Sequence, residues 1–339
     1  MAVDGKIVIL AVVGIVVTLL FATFIITNIP LQPPSPESKE VPHENKWGIY
    51  VFDFETEKTE LIYSSAEKIS RIRLNNAGDK LVFYHEVGNS SESPLEGSII
   101  NPCEEICSIN VDGTNYRRIT YNESFDLLPC WSTDDSKIFF LSFRETMDIF
   151  VMDADGANIQ EVYDSGDHDS DLHCSGGKLA FTRDSQIWIM NEDGTGLAQV
   201  TDPPRAGEKG NAVLPFGDYD PNLSPDGSRT VFERMVDDAT THGNYNLYVI
   251  NTDGSGETAV TDTGYTQGIA AWSYSGEQIV YMVSAIGNDG KYDLYLVNSD
   301  GTQNRDITPD YFPADFLCYE PIFSKDDAKI FFVGQWFQD

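Results

Sequence analysis

The chain is short of positive charge. Of its 339 residues, 22 are Lys or Arg and 54 are Asp or Glu, a net charge of −32. A surface of that sign repels nucleic-acid phosphates and anionic lipid headgroups, so nucleic acid is not an expected partner. Locally readable catalytic signatures are also missing. There is no Gly-x-Ser-x-Gly elbow and no His-Glu-x-x-His pair, which argues against a serine hydrolase of that type and against a zincin. The expectation is a binding protein rather than an enzyme.

Long apolar runs are confined to one place. Ile7 to Ile26 is twenty residues without a charge. As a helix it would span about 30 Å, the thickness of a hydrocarbon core. No Ala-x-Ala site and no lipid-accepting Cys follows it. It therefore reads as an uncleaved signal-anchor rather than a signal peptide. Lys6 before it and Glu37 and Glu40 after it put residues 1–6 in the cytoplasm. Residues 27–46 are rich in Pro and polar side chains, an extended extracytoplasmic spacer. The expected location is a single-pass cell-membrane protein with everything from Trp47 onward outside.

The remainder, 47–339, repeats itself. "IFVMDADGANIQEV" at Ile149 has companions at Ile106 ("ICSINVDGTNYRRIT"), Ile187, Leu247 and Leu294. Their Asp-Gly pairs end at Gly113, Gly156, Gly194, Gly254 and Gly301, at spacings of 43, 38, 60 and 47. That period is characteristic of a repeat architecture, with propeller blades a leading candidate. Each Asp-Gly lies between two strand-like runs, which predicts a hairpin turn. "DADG" at Asp153 also looks like part of a calcium loop. However, Ala157, Asn158, Ile159 and Gln160 supply neither alternating oxygen ligands nor a late Glu. Between the hairpins lies a second unit, as in "PCWSTDDSKIFFLS" at Pro129, "PNLSPDGSRTVFER" at Pro221 and "AAWSYSGEQIVYMV" at Ala270.

These "WSPDG"-type turns, followed by an Ile-x-Phe strand and an "IYVMNxDG"-type hairpin, resemble the repeat of the TolB-like six-bladed β-propellers, the WD40-like PD40 repeat. "LSPDGSRTVF" at Leu223 and "LYVINTDGSGE" at Leu247 carry the resemblance best; "LNNAG" and "CSGG" in the first and third blades depart from it. It covers residues 47–339. It implies an all-β ring of six four-stranded blades, strands A to D from the axis outward. The ring closes by pairing the N-terminal C–D hairpin with the C-terminal A–B pair. It also implies protein–protein interaction in the cell envelope, with an envelope or surface protein as partner. The separate N-terminal α/β domain of TolB is not found in this sequence.

Variable B–C and D–A loops on one face are the expected partner surface. Its candidate residues are Tyr121, Phe125, Phe216, Tyr219, Tyr265, Tyr311, Phe312 and Phe316. Aligning strand A on the Ser of "WS" places Arg71, Leu128, Asp171, Asp220, Ile269 and Glu320 at one level of the channel. Arg73, Cys130, His173, Asn222, Ala271 and Ile322 lie at the next. Arg71, Arg73, Asp171, His173, Asp220, Asn222 and Glu320 are thus candidate channel-mouth residues. No cofactor is expected as a necessity. If the channel held Ca2+ or another divalent cation, His168, Asp171, His173, Asp220 and Glu320 would be the ligands of choice. A metal-dependent hydrolase, a small-ligand sensor and a self-associating surface-layer module are the alternatives to partner binding.

Five Cys leave the pairing open. In an oxidising exterior Cys103 and Cys107 can pair with each other or with a neighbour. Cys174 stands where other blades have Trp and reads as a small core residue. Cys130 and Cys318 are undecided. Asn89 and Asn122 head glycosylation sequons in loops.

Overall fold

The computed structural model describes residues 41–339 except 43, 88–102, 122–123, 145, 165, 167, 240–241, 264–265, 285–291 and 337–339. The expected membrane span, most of the spacer, Tyr265, Asn89 and Asn122 lie outside the described residues. Among the described residues no helix is long and apolar enough to cross a membrane.

Six four-stranded antiparallel sheets form the molecule. The chain opens with β1 (Trp47–Asp53) and β2 (Lys58–Ser65). Blade one is β3 (Ile69–Leu74), β4 (Lys80–Val87), β5 (Cys103–Asn110) and β6 (Arg117–Arg118). Blade two is β7 (Phe125–Trp131), β8 (Lys137–Phe143), β9 (Met147–Asp153) and β10 (Gln160–Tyr163). Blade three is β11 (Ser170–Ser175), β12 (Lys178–Arg183), β13 (Gln186–Asn191) and β14 (Ala198–Gln199). Blade four is β15 (Asp218–Leu223), β16 (Arg229–Asp237), β17 (Asn244–Asn251) and β18 (Thr258–Ala259). Blade five is β19 (Thr266–Trp272), β20 (Gln278–Ser284), β21 (Tyr292–Asn298) and β22 (Arg305–Asp306). The chain ends with β23 (Phe316–Phe323) and β24 (Lys329–Trp336). The sixth blade has the order β2-β1-β24-β23, so the two ends of the ring share one sheet. Its seam runs unbroken from Trp47 opposite Gln335 to Asp53 opposite Lys329. This closure removes the two open sheet edges that a linear array would present.

The middle strands are apolar on both faces because neighbouring blades cover both. In β8, "KIFFLSF", the central five residues are all buried, and in β24 the central six are. The core therefore lies between blades. Val82 and Tyr84 of blade one meet Trp131, Phe140 and Phe150 of blade two. Full burial of a ring such as Phe140 contributes about 2–3 kcal/mol.

The "DADG" stretch is a hairpin turn. The Gly156 N–H donates to Asp153 O at 2.8 Å, and Asp153 N–H donates to Ala157 O at 2.8 Å. Gly156 sits at φ 90°, where a side chain would be strained. The Asp155 carboxylate accepts the Ala157 N–H at 3.0 Å, which occupies it locally. The A–B turns are tied to their neighbours as well. Asp135 of blade two accepts the N–H groups of Asn76 (2.7 Å) and Ala77 (2.8 Å) from blade one. Asp327 does the same for Tyr274 (2.6 Å) and Ser275 (2.9 Å) of blade five.

The cysteines differ from expectation. Cys174 is not a lone core residue: it forms a disulfide with Cys130, joining the inner strands of blades two and three. The alignment on Ser hid this, because the two Cys occupy different positions of the repeat, yet adjacent A strands bring their Cα atoms to 5.6 Å. Cys107 is a buried free thiol, and its Sγ lies 3.3 Å from the Tyr116 hydroxyl; the Cys103 side chain lies outside the described residues. Cys318 is also buried and free.

Candidate functional site

Six inner strands, β3, β7, β11, β15, β19 and β23, surround the axis. Each breaks register at the same place, between Ser70 and Arg73, Leu127 and Cys130, Ser170 and His173, Tyr219 and Asn222, Gly268 and Ala271, and Tyr319 and Ile322. At each break one non-glycine residue adopts a left-handed backbone. They are Arg71 (φ 56°), Leu128 (48°), Asp171 (56°), Asp220 (48°), Ile269 (47°) and Glu320 (54°). A ring of β-bulges thus re-aims one side chain per blade. Such backbone costs on the order of 1–3 kcal/mol per residue and persists only where the surroundings hold it.

Charge closes the channel at this level. Arg71 of blade one reaches Asp220 of blade four, the opposite blade of the ring, at 2.5 Å. The Glu320 carboxylate accepts from the Ser70 hydroxyl at 2.6 Å and from the Arg71 backbone N–H. Glu233 on β16 accepts the Ile269 N–H at 2.5 Å. Gly268 leaves room for it, since a Cβ there would lie 2.6 Å from Glu233 Oε1 and push the carboxylate aside. Burial opposes the charge on Arg71, but Asp220, Glu320 and Asp171 outweigh it and hold the guanidinium firmly protonated. Burial, then the Asp220 charge, lifts Asp171 to about 6. The same two causes raise Glu233 well above the usual carboxylate range.

The next level belongs to the turn face. A funnel of about 140 Å³ opens there between the A–B turns, with Arg73, His173 and Asn222 in its lining. The His173 Nδ1 accepts the Leu223 N–H at 3.0 Å, which leaves the ring proton on Nε2. Burial, then Arg73 and Arg71, depresses its pKa and keeps it neutral. Burial and the Arg71 charge bring Arg73 down to about 10, still a cation at neutral pH.

The channel alignment thus brings together Arg71, Asp171, Asp220 and Glu320 at one level, and Arg73, His173 and Asn222 at the next. His168 is elsewhere: it is exposed, accepts the Met147 N–H at 3.2 Å and stacks on Phe143. Among the described residues no group of three or more His, Cys, Asp or Glu is arranged to hold a metal ion. The carboxylates of the channel are committed to Arg71 and to backbone N–H groups.

The loop-face aromatics divide. Tyr121 is 68% exposed and lies over the Arg118 guanidinium. Phe125, Tyr311 and Phe312 are half-buried. Tyr311 is hydrogen-bonded to the Thr59 hydroxyl at 2.7 Å, and Phe312 packs on Phe316 and Phe332. Phe216, Tyr219 and Phe316 are buried, so their rings offer nothing to a partner. The physical reason is local. Each stands where a loop enters an inner strand, and the ring holds the loop down. Arg205 lies 3.4 Å over the Phe216 ring, and the Tyr219 hydroxyl donates to Pro215 O at 2.7 Å.

The same face nonetheless carries exposed apolar groups. Val213, Leu214, Val236, Phe143 and Tyr121 lie on B–C and D–A loops or at the strand ends that enter them. They are five of the seven large hydrophobic side chains that are exposed among the described residues. Val213 and Leu214 project from the 203–217 insertion. Asp238 pins that insertion to the Val236 loop by accepting the Asn211 N–H at 2.8 Å. An adjacent Val-Leu pair within "EKGNAVLPFG" was the available sequence signal.

Six blades around a charge-plugged axis define a six-bladed β-propeller. No family model matches the chain. An uncharacterized protein of Agrobacterium fabrum (strain C58) is 21% identical over 277 residues, 69% of this chain and 91% of that one. Among solved structures, a protein of Agrobacterium tumefaciens assigned as TolB superposes with a TM-score of 0.63 at 16% identity, covering 87% of this chain and 99% of that one. TolB of Acinetobacter baumannii gives 0.51 at 13%, covering 88% and 78%. An oligogalacturonate lyase in complex with manganese gives 0.53 at 11%, covering 86% and 83%. At these identities the likeness concerns the fold alone.

Proposed function

We propose that this chain is a membrane-anchored, extracytoplasmic propeller whose loop face docks a protein partner of the cell envelope. The observation that carries the reading is the segregation of exposed apolar side chains. Scattered exposed apolar residues are ordinary, but here five of seven fall on one face. That face holds the variable loops, whereas the opposite turns are stereotyped and tied to one another by Asp135 and Asp327. Apolar groups at the centre of a polar surface are what protein interfaces desolvate. The Cys130–Cys174 bridge suits an oxidising compartment, and the Ile7–Ile26 run supplies the anchor.

The test is a pair of variants of the full chain. Val213→Asp with Leu214→Asp puts charge on two of the five exposed residues without touching the core. Asp134→Ala alters the opposite turn face. The envelope partner recovered with the wild-type chain should be lost with the first variant and kept with the second. Retention with both would reject the loop face as the docking surface.

A further inference from the structure

The funnel on the turn face is independent of the loop face and has an unusual lining. In a chain of net charge −32, no carboxylate lines it, while Arg73 and Lys325 do. Its polar groups are short of acceptors. The Arg73 Nε is buried without a hydrogen-bond partner, and one Nη of the same side chain reaches only the neighbouring Ile72 O at 2.9 Å. The Nε2 proton of His173, a residue 8% exposed, has no acceptor among the described residues. The Asn222 side-chain amide, on a residue 5% exposed, makes no hydrogen bond among them either. The unmade hydrogen bond of a buried donor such as Arg73 Nε is costly, and the His173 and Asn222 groups beside it are open to the same ligand. Two turn carboxylates bonded to segments of the lining, Asp135 and Asp327, are already occupied by backbone N–H groups.

The missing group is an acceptor with a negative charge. Arg73 and Lys325 are the cations of the lining, and Arg73 stays a cation at neutral pH despite its burial and the Arg71 charge. Trp131 and Trp272 also contribute to the lining, with their rings largely buried in the cores between blades. We propose that the turn-face funnel binds a small organic monocarboxylate. The carboxylate is held by the Arg73 guanidinium, the His173 Nε2–H and the Asn222 amide. Lys325, exposed and stacked on Tyr274 at 4.4 Å, draws the anion to the mouth.

The test uses the full chain in non-ionic detergent near neutral pH, with benzoate as probe and benzamide as its neutral match. Binding is followed by ligand-observed saturation-transfer NMR. Benzoate should bind saturably, and benzamide about tenfold more weakly or less, the worth of a charge-assisted hydrogen bond. Arg73→Gln should lose benzoate binding by about tenfold or more. Lys325→Glu lies on the exposed rim, cannot disturb the core, and should weaken benzoate several-fold. It keeps the test decisive if Arg73→Gln fails to fold. Equal binding of benzoate and benzamide would overturn the proposal. So would a benzoate affinity indifferent to Lys325→Glu, or no saturation by about 20 mM.

Discussion

Arg71→Met probes the waist of the channel directly. The variant keeps the length of the side chain and removes the charge that spans to the opposite blade. Arg71 and Asp220 are 15% and 17% exposed, so the pair is largely buried. Removing one member of a buried pair costs about 3–5 kcal/mol, because the other charge is left without compensation. The residual exposure brings the expected loss to the lower end, about 3 kcal/mol at pH 8. The pH dependence carries the sharper signature. Asp171 already sits above the usual carboxylate range, and without the Arg71 charge, which lowers it, its folded-state pKa rises further above the unfolded value. A carboxylate shifted that way costs nothing below its unfolded pKa and becomes progressively destabilising as pH climbs through the folded one. The loss should therefore be small near pH 4 and largest at pH 8. Urea denaturation of wild type and variant across that range measures it, and the difference between the two removes the general repulsion of an acidic chain. Adding Asp220→Asn should recover part of the stability at pH 8. An equal loss at both ends of the range, or a loss under about 0.5 kcal/mol at pH 8, would refute the assigned pairing.

Three further outcomes follow from the same geometry. Asp171, held near 6 by burial and Asp220, contributes stability when protonated and loses it as pH rises past 6. Asp171→Asn should accordingly raise the urea midpoint at pH 8, by up to about 3 kcal/mol of stability, and leave it unchanged near pH 4. Replacing Cys130 and Cys174 by Ala opens a loop of sequence separation 44 and should cost about 2–4 kcal/mol, read as a lowered Tm under non-reducing conditions. Ile269 is β-branched at φ 47° and keeps exposed surface on the channel. Ile269→Gly should stabilise the ring by about 1 kcal/mol, measured by urea unfolding.

Much of the fold was legible because the turns repeat. The Asp-Gly hairpins and the "WS"-type turns mark where strands begin and end, and their count sets six blades closed by a shared sheet. The bulge ring was legible only in part. Alignment on Ser found its six positions, but Arg, Leu, Asp, Asp, Ile and Glu have no common property that announces left-handed backbone. That conformation is imposed by the inner strand turning at the axis. The disulfide was hidden for a related reason: neighbouring A strands are in contact, and their contacts cross from one level of the repeat to another. On the loop face the aromatics misled. Phe216, Tyr219 and Phe316 are large enough to anchor the loops that carry them, so they are buried, and smaller Val213 and Leu214 remain outside.

The central claim is that the loop face, and not the turn face, meets a partner. It is tested most directly by placing a photo-crosslinking residue in the full chain in its own cells, at Leu214 and Tyr121 on one face and at Asp134 and Asp300 on the other. The account predicts one crosslinked protein shared by Leu214 and Tyr121 and absent from Asp134 and Asp300. Crosslinks to the same protein from the turn face, or none from Leu214 and Tyr121, would contradict it.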